Sequence, residues 1–342
     1  MFKAFIIKFI SPFHISDKRE EYVSSEKFIR SDTLFAAIQA VLQKDISELK
    51  EFTISSLFPC YQINESEHLY FFPLPKIPLT KIYSNIENTS IKTIKKVKWI
   101  DQILFIKILD GQKIILNKDA IIQKDYLISS EFKEKLNNAE LPPYLISEIT
   151  PRVQIPRYRD KKHTSEPFYF EKVYLNASPN NNPNEGWRMF ILVHGNDTDL
   201  KKGLEILKNT GIGSDKSFGY GNFDYEMKDL SLAEYNSNNS NNCFINLSLL
   251  LPDNPDDIDF KNSFFTLIKR SGYISTFPYY NYRKKPINMI EEGSLISFKK
   301  QPGSLHSYGK IVDVTPQQTP TPINHKIYRS GKSILLPINF KF

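Results

Sequence analysis

Hydrophobic and polar positions alternate over residues 2–10, a pattern typical of a β-strand. From Ser31 to Leu42, polar capping residues precede apolar positions at helical spacing, and this pattern predicts an α-helix. Residues 69–75 are apolar and end in proline, which predicts a second strand. After a long gap, similar patterns predict a strand over residues 187–194, a helix over 199–209 and a strand over 222–227.

The gap is an insertion of irregular pattern over about residues 76–184. Inside it we expect an apolar strand pair at residues 103–108 and 113–116, and a short helix near residues 130–137. The order β-α-β, insertion, β-α-loop-β is the split β-α-β arrangement of the ferredoxin-like (RRM-like) fold. The fold class is therefore α+β, with the apolar helix faces on one side of a four-stranded antiparallel sheet.

A polar segment rich in asparagine and serine, residues 231–242, has the composition of a linker. It predicts two domains, an N-terminal domain over residues 1–230 that contains the insertion, and a C-terminal domain over residues 243–342. The C-terminal domain is expected to begin with a strand over residues 244–251.

The 342 residues include 45 lysines and arginines and 38 acidic residues, for a net charge of +7. Residues 243–342 hold 13 of the basic and 7 of the acidic residues, so most of the excess lies in the C-terminal domain. A basic excess favours a polyanionic partner, because neutralising phosphates releases counterions. A soluble protein with a lysine-rich surface is the alternative.

The two cysteines, Cys60 and Cys243, are far apart and have no histidine or cysteine at metal-ligand spacing. This pattern excludes a disulfide scaffold and a zinc knuckle and fits a reducing cytosol. No apolar run reaches the roughly 18 to 20 residues that a membrane span needs. We therefore expect a cytoplasmic protein with no membrane partner, no metal and no cofactor.

The most informative segment is a glycine-rich loop over residues 211–221, between a predicted helix and a predicted strand. Glycine permits positive φ and leaves main-chain N–H groups uncovered, which suits contact with a phosphodiester backbone. The spacing fits neither a P-loop nor a dinucleotide fingerprint. The candidate RNA contacts are Gly211, Gly213, Ser214, Lys216, Ser217, Phe218, Gly219, Tyr220 and Gly221, with Phe218 or Tyr220 either stacking on a base or packing into the core.

Residues 31–38, with the sequence SDTLFAAI, and the glycine-rich loop together resemble the RAMP proteins of CRISPR systems. The helix start and the segment HKIYRSGKS over residues 325–333 resemble more specifically the fourth subunits of the Csm complex, the type III-A effector. The resemblance follows the whole chain in order. Asp215 departs from the family, which often has glycine or arginine in the loop, and we expect it to weaken phosphate affinity there.

The resemblance implies a non-catalytic subunit that binds the 5′ repeat-derived tag of the guide RNA (crRNA). Such a subunit would cap the filament of backbone subunits, formed by Csm subunit three, and dock the large Palm-containing subunit one in antiviral defence. Both domains would be ferredoxin-like, and the insertion would include a β-hairpin "thumb" that lies along the guide.

An arginine-rich stretch alternates as a strand does, and residues 167–174 return as a second strand. Interleaved basic and aromatic residues favour a ribbon along phosphates over a merely solvated hairpin. The candidate contacts there are Arg152, Arg157, Arg159 and Tyr169, with Phe168 as an alternative to Tyr169.

Two further places are candidate phosphate contacts. At the start of the first helix, Arg30, Ser31 and Thr33 lie where the positive helix end attracts an anion, although Ser31 could simply cap the helix. Arg283 and Lys284 form a short basic run in the C-terminal domain.

No catalytic residue is assigned. His14 and His163 could serve as general acid or base, but neither has a sequence neighbour that completes a catalytic set. The first alternative function is a metal-independent endoribonuclease that processes CRISPR repeat RNA with His14. The second is a regulator that binds a small nucleotide in a closed pocket.

Overall fold

A computed structural model describes residues 2–16, 22–49, 51–85, 91–153, 167–176, 184–230, 232, 242–275, 278–304 and 306–342. Within these residues the fold is α+β, as predicted. The helices are α1 (Ser31–Leu42), α2 (Leu79–Ile82), α3 (Ile91–Ile94), α4 (Gln102–Leu109), α5 (Ser130–Lys135) and α6 (Thr198–Thr210). The first eleven strands are β1 (Phe2–Phe9), β2 (Phe52–Ile54), β3 (Phe58–Gln62), β4 (His68–Pro73), β5 (Trp99–Asp101), β6 (Ala120–Gln123), β7 (Tyr126–Ser129), β8 (Leu145–Val153), β9 (Pro167–Leu175), β10 (Gly186–Gly195) and β11 (Phe223–Leu230). The remaining strands are β12 (Cys243–Asn246), β13 (Leu267–Arg270), β14 (Ile287–Ile290), β15 (Leu295–Ser297), β16 (Ile311–Asp313), β17 (Tyr328–Ser330) and β18 (Leu335–Pro337).

A central sheet with the order β11-β1-β10-β3-β4-β5-β7-β6 forms the body of the protein, and β2 pairs with β10 beside it. Strand β1 lies between β11 and β10, β3 follows β10, and these neighbours are antiparallel. With α1 after β1 and α6 after β10, this is the strand order of the split β-α-β arrangement predicted for the N-terminal half.

The two faces of this sheet are buried against different parts of the chain. On one face, Phe5 and Ile7 pack with apolar residues of both long helices, such as Leu34 and Leu204. On the opposite face, Ala4 and its neighbours pack with residues of β12 and β18. Neighbouring residues of β1 lie in different cores because successive side chains of a strand point to opposite faces of the sheet. The C-terminal part therefore covers the side of the sheet that α1 and α6 leave open, together with residues of α4 such as Leu104.

The insertion continues the central sheet, and part of its predicted structure is wrong. Residues 102–109 form helix α4, where a strand was predicted at residues 103–108. The carboxylate of Asp101 accepts a hydrogen bond from the N–H of Leu104, which caps the helix, and the buried residues recur at helical spacing. Residues 113–116 form isolated bridges and no strand. The short helix predicted near residues 130–137 is confirmed as α5.

Strands β8 and β9 form a long antiparallel hairpin with Leu145 opposite Leu175 at the base and Val153 opposite Pro167 toward the tip. The hairpin predicted from the alternating pattern is thereby confirmed for the described residues. The segment that connects the two strands, residues 154–166, lies outside the described part of the chain.

The C-terminal part consists of short strands, with β15-β12-β18 as one sheet and the pairs β13-β14 and β16-β17 beside it. Its described residues include short 3₁₀ turns and no α-helix. The expected second ferredoxin-like domain therefore lacks, among the described residues, the two helices that this fold requires. Of the linker over residues 231–242, only residues 232 and 242 are described, and the domain boundary stays a prediction.

None of the helices in the described residues combines the length and apolar character that crossing a membrane requires.

Candidate nucleic-acid interface

A cleft of about 190 Å³ lies between helix α1, the glycine-rich loop and the C-terminal part, and we call it the basic cleft. It brings together Thr33, Gly213, Lys216 and Lys284, four residues predicted from three separate places in the sequence. The rest of its lining includes Arg270, Arg329 and Asp32, two tyrosines and several small residues.

The glycine-rich loop is held against the segment that follows β1. A Cβ atom on Gly213 (φ 102°) would collide with the carbonyl oxygen of His14, and one on Gly221 would collide with that of Ile212. At Gly219 (φ 79°), at the tip, the space is open. Gly211 and Gly221 are buried. These two glycines therefore support the loop in this arrangement, and their assignment as RNA contacts stays a prediction.

Most of the main-chain N–H groups in the loop are used inside the protein. The N–H of Ser214 donates to His14 O at 2.8 Å, and the N–H of Gly221 donates to Pro12 O at 2.8 Å. At the tip, Phe218 and Gly219 donate to carbonyl oxygens within the loop, both at 2.9 Å. The expected row of uncovered N–H groups is thus interrupted, because the loop folds on itself and on the segment after β1.

Side chains at the loop tip remain available to a ligand. Lys216 and Ser217 are exposed, and the ring of Phe218 is 73% exposed. Within the described chain, Lys216 makes no ion pair with a carboxylate, so its charge is available to an anion. The tip therefore offers a cation, a hydroxyl group and an aromatic ring.

Arg152 connects the hairpin to the glycine-rich loop. It forms an ion pair with Asp215, and its Nη2 donates a hydrogen bond to the hydroxyl of Tyr220 at 2.8 Å. Its guanidinium carbon lies 3.9 Å from the ring centroid of Phe170 and 5.5 Å from that of Phe218. Asp215, expected only to weaken phosphate binding, has this structural role, and Arg152 and Tyr220 are engaged within the chain.

Tyr169 lies on the opposite face of the hairpin. It is paired with Pro151, whereas Arg152 is paired with Phe168, and neighbouring positions on a strand alternate in direction. Tyr169 is 58% exposed. The structure therefore does not bring it to the loop. The predicted contacts Arg157 and Arg159, and also His163, lie outside the described residues.

Arg30 is not available for a phosphate in this structure. Its guanidinium donates to Glu291 at 2.9 Å and to Glu292 at 2.5 Å, and both glutamates belong to the C-terminal part. Burial raises the pKa of the Glu292 carboxyl, although the Arg30 charge opposes this shift. Arg30 therefore joins the start of α1 to the C-terminal part, and its assignment as an RNA contact stays a prediction.

Ser31 is likewise buried and used internally. Its Oγ accepts a hydrogen bond from the N–H of Leu249 at 3.0 Å, and its own N–H donates to Ser56 at 2.9 Å. The residue that caps α1 by position is Arg30, which makes no side-chain cap. Ser31 therefore joins the helix start to the C-terminal part, and its assignment as an RNA contact stays a prediction.

Sequence reasoning missed the charges around Asp32, which is 2% exposed. Its carboxylate accepts a hydrogen bond from Arg270 Nε at 3.0 Å and forms an ion pair with Arg329. Burial would raise the pKa of Asp32, but the two arginines hold the pKa below its usual value. The sequence does contain one signal for these charges, a carboxylate in the first turn of an apolar helix. A carboxylate that is buried with such a helix requires cationic partners.

Thr33 and the basic run Arg283-Lys284 have different positions. The hydroxyl of Thr33 accepts a hydrogen bond from Arg270 Nη2 at 3.1 Å at the wall of the basic cleft. Lys284 lines the cleft, whereas Arg283 is exposed with its guanidinium carbon 5.4 Å from the centroid of the Tyr273 ring. Of the basic run, only Lys284 lines the cleft.

His14 is 1% exposed. Its Nδ1 lies 2.8 Å from the carbonyl oxygen of Glu171, and its ring centroid lies 4.5 Å from that of Phe170. Burial lowers the pKa of His14. In this arrangement, the imidazole is neutral near pH 7 and out of reach of an RNA strand. The described residues contain no cluster of histidine, cysteine and acidic side chains that could hold a metal ion.

Comparison with known proteins gives consistent matches. Residues 239–338 match the family model of the CRISPR Csm4 C-terminal domain. The chain is 27% identical over 388 aligned positions to the CRISPR system Cms protein Csm4 of Methanocaldococcus jannaschii, covering 98% of this chain and 96% of that protein. The resemblance to subunit four of the Csm complex is thereby confirmed.

Among solved structures, the chain is similar to one chain of the type III-B Cmr-beta complex bound to cognate target RNA and AMPPnP, determined by cryo-electron microscopy. The TM-score is 0.41 with 13% sequence identity, and the match covers 86% of this chain and 85% of that chain. A chain of the same complex bound to cognate target RNA gives a TM-score of 0.41 and 13% identity, with 86% of each chain covered.

Proposed function

We propose that this chain, a Csm4-type subunit of a type III CRISPR effector complex, binds RNA in the basic cleft and holds the 5′ repeat-derived tag of the crRNA. One observation supports this proposal most. The cleft collects Lys216, Arg270, Lys284 and Arg329, while Asp32 is the only carboxylate among its described lining residues. The remaining positive charge suits a strand of phosphates.

The proposed contacts follow from what is exposed. Lys216 and Ser217 at the loop tip are placed to meet phosphate oxygens, with Lys284 across the cleft. The exposed ring of Phe218 is suited to stack on a base, because stacking tolerates any sequence. Arg270 and Arg329 add positive potential to the cleft while they stay paired with Asp32.

We further propose that residues 1–230 form a ferredoxin-like domain, that residues 243–342 form a second domain packed against its sheet, and that the β8–β9 hairpin is the thumb. The strand order β11-β1-β10-β3 supports the first part. The ion pair between Arg152 and Asp215, which holds the hairpin beside the loop, supports the second. In this arrangement the hairpin would continue the RNA path, with Arg157 and Arg159 beyond its described strands and Tyr169 on its outer face.

The proposed partners are the crRNA, the large Palm-containing Csm subunit one and the backbone Csm subunit three, with the chain at one end of the backbone filament in the cytoplasm. This part of the proposal rests on the resemblance to the fourth Csm subunit, and no described surface is assigned to either protein partner. Purifying the tagged chain from its host and identifying the bound proteins tests it. If the chain is recovered with neither of the two subunits bound, the proposed protein partners are contradicted.

We also propose that the chain does not cleave RNA. The alternative of a repeat-RNA endoribonuclease needs an accessible acid or base, and His14 is buried against Phe170. The alternative of a small-nucleotide regulator needs a closed pocket, whereas the basic cleft is lined partly by exposed residues such as Lys216.

A binding measurement tests the central proposal. Fluorescence anisotropy with two labelled guide RNAs, one with and one without the repeat-derived 5′ segment, compares their dissociation constants at two salt concentrations. We expect tighter binding of the RNA that carries the 5′ segment and weaker binding of both at higher salt. Equal affinity for the two RNAs would contradict the assignment of the tag as the ligand.

A further inference from the structure

A second groove continues from the basic cleft along the exposed face of α1. It has a volume of about 620 Å³. The two spaces share five lining residues, Ala36, Ala40, Ser275, Lys284 and Tyr328. A nucleic-acid strand held in the basic cleft therefore has an adjoining space into which its next residue can extend.

The groove has an apolar floor and a rim of amides. Ala36 and Ala40 lie one turn apart on α1 and, with Ile274 and Ile327, form the apolar part of the lining, beside Ser275 and the ring of Tyr328. The rim carries Gln39, Gln43, Asn324 and His325, and we call the space the amide groove. A flat apolar surface with a few polar groups at its edge suits a planar heterocycle.

The rim amides have few competing interactions. Gln39 Nε2 lies 3.5 Å from the carbonyl oxygen of Lys44, at the limit of hydrogen bonding. Gln43 ends α1 in a left-handed conformation (φ 52°) and is exposed, as is Asn324. Lys44, which also lines the groove, is paired with Asp199 at 2.8 Å. The lining also includes Asp45, Lys284 and Lys326, so the amides lie beside charged groups of both signs.

We propose that the amide groove is a base-binding subsite that accepts an unstacked adenine from the RNA strand in the basic cleft. An amide offers a donor and an acceptor side by side, which matches the N7 acceptor and N6 donor of adenine. Guanine presents two acceptors at the same edge and matches an amide less well. Single-stranded RNA is recognised in this way because its bases can leave the stack. This subsite rests on the proposed function and adds a sequence preference to it.

Binding of labelled oligoadenylate, oligouridylate and oligocytidylate of equal length tests the subsite with the full-length chain. We expect the wild type to bind oligoadenylate about tenfold more tightly than the other two. In the double variant Gln39→Ala, Asn324→Ala, the ratio of the dissociation constants should fall to about one. The control Lys216→Gln should weaken binding of all three oligomers alike and leave their ratio unchanged, since phosphates carry no sequence information.

Each outcome decides between the two proposals. Equal affinity of the wild type for the three oligomers, or a full adenine preference in the double variant, would overturn the base subsite and leave the RNA-holding function standing. Failure to bind any oligomer would overturn both. The single variant Asn324→Ala removes an exposed side chain and keeps the test valid if the double variant unfolds. It should reduce the ratio without changing the melting temperature.

Discussion

Arg152 on the hairpin and Asp215 in the glycine-rich loop form an ion pair between two segments that are separated in the sequence by strands β9 and β10 and helix α6. The same guanidinium stacks on Phe170 at 3.9 Å from the ring centroid. The proposed thumb and the proposed phosphate loop are therefore one connected unit, and changes in one should alter the other.

We expect Arg152→Ala to destabilise the protein by about 1–2 kcal/mol, because the substitution removes both the ion pair and the cation–π interaction. Asp215→Asn removes only the charge and should cost about half as much. Urea unfolding of the two single variants and the double variant measures the coupling between the residues. Additive effects would show that the ion pair does not connect loop and hairpin.

Asp32→Asn should destabilise the protein by about 3–5 kcal/mol, because the substitution leaves the buried Arg329 without its carboxylate partner and the buried Arg270 with Glu26 alone. Asp45→Asn, at an exposed aspartate that also lies near α1, is the matched control and should change stability by less than about 1 kcal/mol. Denaturant unfolding at neutral pH measures both. Equal effects would contradict the structural role of Asp32.

The same aspartate predicts how stability depends on pH. The two arginines lower the pKa of Asp32 in the folded protein, so the unfolded chain binds more protons than the folded protein near pH 4. The contribution of Asp32 is therefore complete above its unfolded pKa and is lost as pH falls through the lower folded pKa. The wild type should lose more stability than Asp32→Asn when the pH is lowered from about 6 to about 3. Parallel losses would show that the carboxylate is not held ionised.

Gly213 and Gly219 differ in the space available for a Cβ atom, and substitution with alanine tests this difference. Gly213→Ala places a Cβ against the backbone of His14 at positive φ, whereas Gly219→Ala meets open space at positive φ. The second variant should cost about 1–2 kcal/mol from backbone strain alone, and the first should cost more. Thermal unfolding gives the comparison. A Gly219→Ala variant less stable than Gly213→Ala would contradict the packing described for the loop.

No RNA cleavage is expected from the purified chain in EDTA, because His14 is buried and neutral near pH 7. Labelled repeat RNA incubated with the wild type and with His14→Ala should remain intact in both reactions, as resolved on a denaturing gel. Defined products that the wild type makes and His14→Ala does not would establish the endoribonuclease alternative.

Local patterns are sufficient for the elements whose period is clear. The alternation over residues 2–10 and the helical spacing after Ser31 predict β1 and α1, and the order of the elements predicts the split β-α-β arrangement. The prediction for residues 103–108 is wrong because a short apolar run fits either a helix or a strand. The side-chain cap from Asp101 favours the helix α4 over a strand, and this cap depends on the position of the Asp101 carboxylate in the folded protein.

The site is predictable in part. Local composition selects Lys216, Thr33 and Lys284, and the structure places them around one cleft. The internal partners of Arg30 and Ser31 could not be predicted, because Glu292 and Leu249 lie more than 200 positions away in sequence. Long-range pairs of this kind leave no local pattern, since only folding brings the two residues together.

The most direct test of the account is the salt dependence of guide-RNA binding by the double variant Lys216→Glu, Arg157→Glu. Lys118→Glu, at an exposed lysine that does not line the cleft, is the matched control. We predict that the double variant binds more weakly than the control at every salt concentration. Its slope of log affinity against log salt should be smaller in magnitude by about one for each phosphate that the variant no longer neutralises. Unchanged affinity and slope in the double variant would contradict the proposal that the cleft holds RNA.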